Sequence, residues 1–247
     1  MHGSEEQAIT VLGISGSPRP NGNTDTIVKA ALDHIGQLDG VTTEFFGLGG
    51  KPANYCTGCV QICHPGYGDD GAEPSATVPG ALCRHDDAIK EALAKMAQAD
   101  AVMIGSPVYF GNVPGLLKTL MDRSTAIIEV DENGRYSSPF EGKIGGAIAV
   151  GGARHGGQEA TLHQIFTYFL LLQMIPLNFS EYGDQCHGVA CLAALPGEIE
   201  HDDWPIPVVN VQTSSLEQAK LYAEKLVRTA RKLPQGGAAA TIDEKAA

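Results

Sequence analysis

Residues 9–24, ITVLGISGSPRPNGNT, set the fold. Ile9–Ile14 is a short, continuously apolar run closed by Gly, Ser and Pro, the pattern of a strand buried on both faces. Beyond the loop, Val28, Ala31, Leu32, Ile35 and Leu38 recur at helical spacing, with Asn23 or Thr24 placed to cap the helix. A buried strand, a Gly/Ser/Pro loop and a helix in that order begin a βαβ crossover.

Working outward, the alternation repeats. Thr42–Phe46 reads as a second strand, and a helix resumes from Asp86 with Ile89, Ala92, Leu93 and Met96 on one side. Ala101–Gly105 is a buried strand, followed by a loop and a helix to about Arg123. Lys143–Val150 is another strand, then a glycine-rich loop and an apolar helix from about Thr161 to Gln173. Pro176–Phe179 reads as the last strand, and Leu216–Ala230 as a terminal amphipathic helix. The result is an α/β chain with a doubly wound parallel sheet and helices on both faces. Residues 1–233 read as one domain, with a Cys-rich insertion at about 47–85 and an irregular segment at about 180–212. Residues 234–247 read as a flexible tail.

Composition narrows the function classes. With 43% hydrophobic residues in 247, the chain is neither a disordered polymer nor collagen. Twenty-nine acidic against 17 basic residues, with no Lys/Arg cluster, argue against nucleic acid. The same charge is repelled by an anionic membrane, and no apolar run reaches the length of a spanning helix. The N-terminus lacks the pattern of a secretory signal. These features predict a cytoplasmic protein whose six cysteines serve as thiols, metal ligands or redox groups.

In a sheet of this kind, ligands sit beyond the carboxyl ends of the strands. Three loops lie there: 15–24, 106–114 and 151–159. The first suits a single phosphate. A helix N-terminus offers amides and partial positive charge, and Ser17, Arg19, Asn23 and Thr24 add donors. There is no G-x-x-x-x-G-K-[ST] for a triphosphate and no G-x-G-x-x-G after the first strand for a dinucleotide. The second loop carries Tyr109 and Phe110, which either stack on a flat ring or pack into the core. The third supplies flexible backbone with Arg154 and His155, the residue types of a solvated surface or of a substrate-orienting group.

Taken together and in order, GSPRPNGNT, GSPVYFGNVPGLLKTLMDR and GGARHGGQE resemble the NAD(P)H-dependent FMN reductase and iron–sulfur flavoprotein branch of the flavodoxin-like superfamily. The resemblance spans about residues 9–175. It implies a five-stranded flavodoxin-like domain binding FMN, with Ser17, Arg19, Asn23 and Thr24 on the phosphate. Pro107, Val108, Tyr109, Phe110, Gly111 and Asn112 then border the isoalloxazine, and Gly151, Gly152, Arg154, Gly156 and Gly157 form a third wall. Tyr109, Arg154 and His155 become candidates for orienting a second substrate. The helix ending Asp122-Arg123 also matches the family, and a structural ion pair is expected there. Relatives associate, which implies a homodimer or homotetramer.

The cysteines are the unusual feature. Cys56-x2-Cys59-x3-Cys63 is followed after 19 residues by Cys83. Such spacing admits an iron–sulfur cluster, zinc or free thiols. In the iron–sulfur flavoproteins that the chain resembles, a compact cysteine motif in this region holds a 4Fe–4S cluster, which here would fall on Cys56, Cys59, Cys63 and Cys83. The third spacing is one residue longer than in those relatives and the fourth cysteine lies much further along. Other members of the branch keep a similar stretch without a cluster, and free thiols in a substrate-covering loop stay open. Cys186 and Cys191 read as packed thiols. The chain is thus expected to be an FMN-dependent oxidoreductase that takes hydride from NAD(P)H and reduces a quinone, flavin or other small acceptor. The rivals are an iron–sulfur electron carrier serving a protein partner, and a binding module for a different phosphorylated ligand.

Overall fold

The computed structural model describes residues 8–63, 83–130, 136–152, 156–178, 189–192 and 213–233. In chain order the elements are β1 (Ile9–Ser15), α1 (Asn23–Ile35), β2 (Val41–Gly47), α2 (Val60–Cys63), α3 (Ala88–Gln98), β3 (Ala101–Pro107) and α4 (Gly115–Arg123). A 3-10 turn (Ser124–Ile127) leads to β4 (Glu129–Val130) and β5 (Tyr136–Ser137), then β6 (Ile144–Gly151) and α5 (Gln158–Leu171). β7 (Ile175–Pro176), β8 (Val189–Leu192) and α6 (Thr213–Ala230) complete them.

The main sheet runs β2-β1-β3-β6-β7, with β8 also on β6, and its pairings are all parallel. The chain reverses direction across the sheet between β1 and β3, so a crevice opens at their carboxyl ends. Alternate side chains feed two cores. Leu12, Ile14, Val102, Ile104, Ala147 and Ala149 pack with α3, α4 and α5. Ile9, Val11, Ala101, Met103, Ile144 and Ile148 pack with α1 and α6. This is the flavodoxin-like doubly wound sheet.

Three boundaries depart from the sequence reading. The cap of α1 is Gly22, with Asn23 and Thr24 already inside the helix. α5 begins at Gln158, three residues early, because a left-handed Gly157 starts the turn. The last strand is in two pieces: β7 pairs with Ile144 and Gly145, and β8, inside the span read as irregular, pairs with Ile148–Gly151. Tyr222 of α6 fills the interruption. Its buried hydroxyl accepts the Ala147 amide at 3.0 Å and donates to the Leu177 carbonyl. A side chain thus replaces a missing ladder rung, a contact no local pattern encodes.

Candidate functional site

The β1–α1 loop leaves the amino end of α1 without a side-chain cap, because Gly22 occupies the cap position in extended conformation. The positive end of the helix dipole is then offered to an anion. The loop's own side chains set its shape. Ser17 Oγ accepts the Arg19 amide at 3.1 Å and donates to the Arg19 carbonyl at 3.0 Å. Asp25 reaches back to the Asn21 amide at 2.7 Å, which supports the left-handed Asn21. Thr24 is buried, Asn23 half-buried and Arg19 exposed. The Gly16 amide donates to the Gly105 carbonyl at 2.8 Å and ties this loop to β3.

After β3, Tyr109 and Asn112 exchange two backbone hydrogen bonds of 2.9 and 3.0 Å. Between them Phe110 and Gly111 both have positive φ, 52° and 72°, as a type I′ turn requires. Phenylalanine is an uncommon residue for that region. The turn leaves Phe110 fully exposed and Tyr109 48% exposed, so neither ring belongs to the core. The Val108 amide donates to the Val150 carbonyl at 2.9 Å, and Gln164 of α5 accepts the Val113 amide at 3.1 Å.

The third loop closes on the second. Gly157 has φ 106°, and a Cβ there would stand 2.5 Å from the Gly111 α-carbon and 3.3 Å from Val108 Cγ1. Gln158, 2% exposed, fits against Gly151 and accepts the Gly156 amide at 2.8 Å. Gly157 therefore sits beside Val108 and Gly111, while Gly151 ends β6 and packs on Gln158. Arg154 and His155 lie outside the described residues.

The cysteines form a second centre. Cys63 and Cys83 are buried together with Ala126 of the 3-10 turn, Cys59 packs against them, and Cys56 is exposed. Burial pushes the Cys63 thiol up to about 11, reinforced by Cys59, Cys83 and Cys56 nearby. Cys59 is lowered, chiefly by a hydrogen bond from Thr57. Thus four thiols share one neighbourhood, although no group of three or more His, Cys, Asp or Glu among the described residues is drawn tightly around a point where an ion would sit. α2, which ends on Cys63, gives this region structure of its own. Cys186 lies outside the described residues. Arg123 does form an ion pair, with Asp87 at 2.7 Å, while Asp122 pairs with Lys118.

The NADPH-dependent FMN reductase family matches residues 9–184. The chain belongs to the NADPH-dependent FMN reductase family. It is 40% identical over 197 residues to an iron–sulfur flavoprotein of Methanocaldococcus jannaschii, covering 78% of this chain and 88% of that one. It is 32% identical to an iron–sulfur flavoprotein of Methanosarcina thermophila, covering 72% and 78%. Among solved structures, its fold is similar to a flavodoxin, WrbA-like protein from Agrobacterium tumefaciens, with TM-score 0.51 and 15% identity over 91% of this chain and 98% of that one. An NADH:FMN oxidoreductase in its apo form gives 0.54 and 14% over 92% of each. The chain is accordingly an FMN-dependent oxidoreductase of the flavodoxin-like branch.

For this FMN reductase family member the residues present fit the cofactor. The helix end lacks a side-chain cap, Arg19 is an exposed cation beside it, and Tyr109 and Phe110 are held out of the core at the same rim. Three supporting residues escaped the sequence reading: Asp25, Gln158 and Gln164. Asp25, three positions past the cap, carries a readable signal, an acid in the first helical turn. Gln164 acts across 51 residues and has no local signature, whereas the partner of Gln158 is Gly156, only two residues away.

Proposed function

We propose that the protein oxidises NAD(P)H and passes the electrons to a quinone, a flavin or another small acceptor, with FMN bound where the three loops meet. Bound FMN supplies a two-electron carrier that accepts hydride and delivers electrons singly or in pairs. On this reading Arg19, Ser17, Asn23, Thr24 and the first amides of α1 hold the phosphate. Pro107 through Asn112 border the ring on one side, and Gly151, Gly152, Gly156 and Gly157 on the other. The observation that carries the proposal is the contact of Gly157 with Gly111, which brings the second and third loops into one wall at the β1/β3 crevice. Tyr109, Arg154 and His155 would orient the second substrate.

The grouped thiols favour a second function of the same chain. Cys56, Cys59, Cys63 and Cys83 supply the all-sulfur donor set of a 4Fe–4S cluster. With a cluster in place, the protein would carry electrons to a partner protein, and its net charge of −12 suits a basic surface. Four free thiols also suit a cytoplasmic location. Association into a homodimer or homotetramer is supported by α5, where Leu170 and Leu171 are 62% and 72% exposed and border a cavity of about 460 Å³.

The test is anaerobic purification followed by a visible spectrum, iron and sulfide content, and steady-state oxidation of NADH and NADPH with simple quinones. Flavin absorbance with nicotinamide oxidation supports the reductase. Flavin with iron but no reaction with either nicotinamide supports the carrier. A protein that holds no flavin and binds no added FMN sinks both.

A further inference from the structure

The two ends of the cysteine-bearing segment meet on one buried ion pair. The side chains of Arg123 and Asp87 are 1% and 2% exposed. Arg123 Nη1 stands 2.7 Å from each Asp87 carboxylate oxygen and donates to the Asn54 carbonyl at 3.1 Å, while Nη2 donates to the His85 carbonyl at 3.1 Å. Asp87 in turn accepts the Asn54 amide at 2.8 Å and the Asn54 side-chain nitrogen at 3.0 Å. It also caps α3 through the amides of Ile89 and Lys90. Asn54 lies two residues before Cys56, and His85 two residues after Cys83. The turn that follows Arg123 supplies Ala126, against which Cys63 and Cys83 are buried. One helix end therefore both ties the neck of the segment and floors the thiols.

A buried pair of charges is weak evidence for stability, since apolar groups of similar volume often serve as well. What the fork of an arginine adds is direction, here to one carboxylate and two carbonyls at once. We propose that Asp87 and Arg123 are the positioning pair of the four-cysteine site: they close its neck, so that Cys83 stands beside Cys59 and Cys63 before any metal arrives. The purpose of the site rests on the cluster reading above; the closure does not. Without the pair, incoming iron would itself have to bring Cys83 back across the intervening chain, against loop entropy.

The test uses the full chain with Cys63 and Cys83 as its remaining cysteines (Cys56, Cys59, Cys186 and Cys191→Ser). Dibromobimane bridges two neighbouring thiolates, each displacing one bromide to form a C–S bond, and fluoresces on bridging. The double variant Asp87→Asn/Arg123→Met removes both charges and leaves no ion unpaired, and an FMN titration reports on the rest of the fold. The expected result is a bridging rate about tenfold lower with FMN affinity within about twofold of the parent. Arg123→Lys, which keeps the charge and loses the fork, should fall between. Unchanged bridging in the double variant overturns the proposal. So does loss of FMN binding along with bridging, because the pair would then support the whole fold. With the native cysteines restored, iron uptake after anaerobic reconstitution with ferrous iron and sulfide should fall in the double variant. If the parent takes up no iron, the cluster reading fails while the bridging result still judges the clamp.

Discussion

A methyl group added at Gly157 asks whether the second and third loops must touch for FMN to bind. In Gly157→Ala the new carbon lies 2.5 Å from the Gly111 α-carbon, whereas ordinary contact begins at 3.4 Å, and the obstacle is backbone. A φ of 106° adds conformational strain for an L side chain, about 1–2 kcal/mol. Forcing packed backbone apart adds about 1–3 kcal/mol. If the closed arrangement is what binds flavin, a combined cost near 3 kcal/mol weakens FMN roughly hundredfold. Two other glycines calibrate the number. Gly111→Ala has φ 72° but nothing within 4 Å, so it meets strain alone, about 1 kcal/mol or roughly fivefold. Gly115→Ala, outside the proposed walls, has open space and no positive φ, and should be neutral. The assay is quenching of flavin fluorescence on titration into apoprotein, alongside thermal melts. The order Gly115, Gly111, Gly157 is expected for loss of affinity. A Gly157→Ala protein that binds FMN like the parent, or a Gly115→Ala protein that fails equally, refutes the shared wall.

Arg19→Ala should weaken FMN by about tenfold, the worth of a charge-assisted hydrogen bond, and leave riboflavin affinity unchanged in the same titration; equal loss for both ligands would place Arg19 away from the phosphate. Tyr222→Phe leaves the Ala147 amide and the Leu177 carbonyl without their buried partner, which should cost about 2 kcal/mol and lower Tm by roughly 4–8 °C in calorimetry. The Asn54 amide and the Arg123 guanidinium outweigh burial and hold the Asp87 carboxyl at about 2, below its ordinary 3.8. A depressed carboxyl stabilises fully above its ordinary value and loses that contribution as pH falls through the folded one. Denaturant titrations of the parent should therefore lose about 2 kcal/mol between roughly pH 4 and 2. Asp87→Asn should lack that acid-side loss and be less stable by about 3–5 kcal/mol at neutral pH, having left Arg123 unpaired. Cys83→Ser should reduce bound iron after anaerobic reconstitution while sparing the flavin spectrum, and full iron retention would remove Cys83 from the ligand set.

The loops that frame the candidate site were readable because their determinants are local. Ile9–Ser15 with the loop to Thr24 announces a strand, a tight turn and a helix end within one short stretch, and each of those is governed by neighbouring residues. The order of strands and loops then places three turns at one sheet edge, since parallel crossovers admit few arrangements. Tyr109 and Phe110 were ambiguous from residue type, because an aromatic pair serves a core as readily as a rim; the backbone turn at Phe110 and Gly111 settled it.

Other features depend on pairs far apart in the chain. Gln164 reaches Val113 across 51 residues, Tyr222 reaches Ala147 across 75, and Arg123 reaches Asn54 across 69. Nothing near Gln164 or Tyr222 distinguishes it from an ordinary helical neighbour, and although an ion pair was expected at Arg123, its partner Asp87 lies 36 residues away. Their roles exist because packing leaves a particular amide or carbonyl buried and in need of a partner, and that need arises after the layers have assembled. Periodicity and turn chemistry thus specify the sheet, its helices and the rim that faces a ligand. Which side chains brace that rim, and how the distant Cys83 is returned to the other thiols, follow from burial and hydrogen-bond closure in three dimensions.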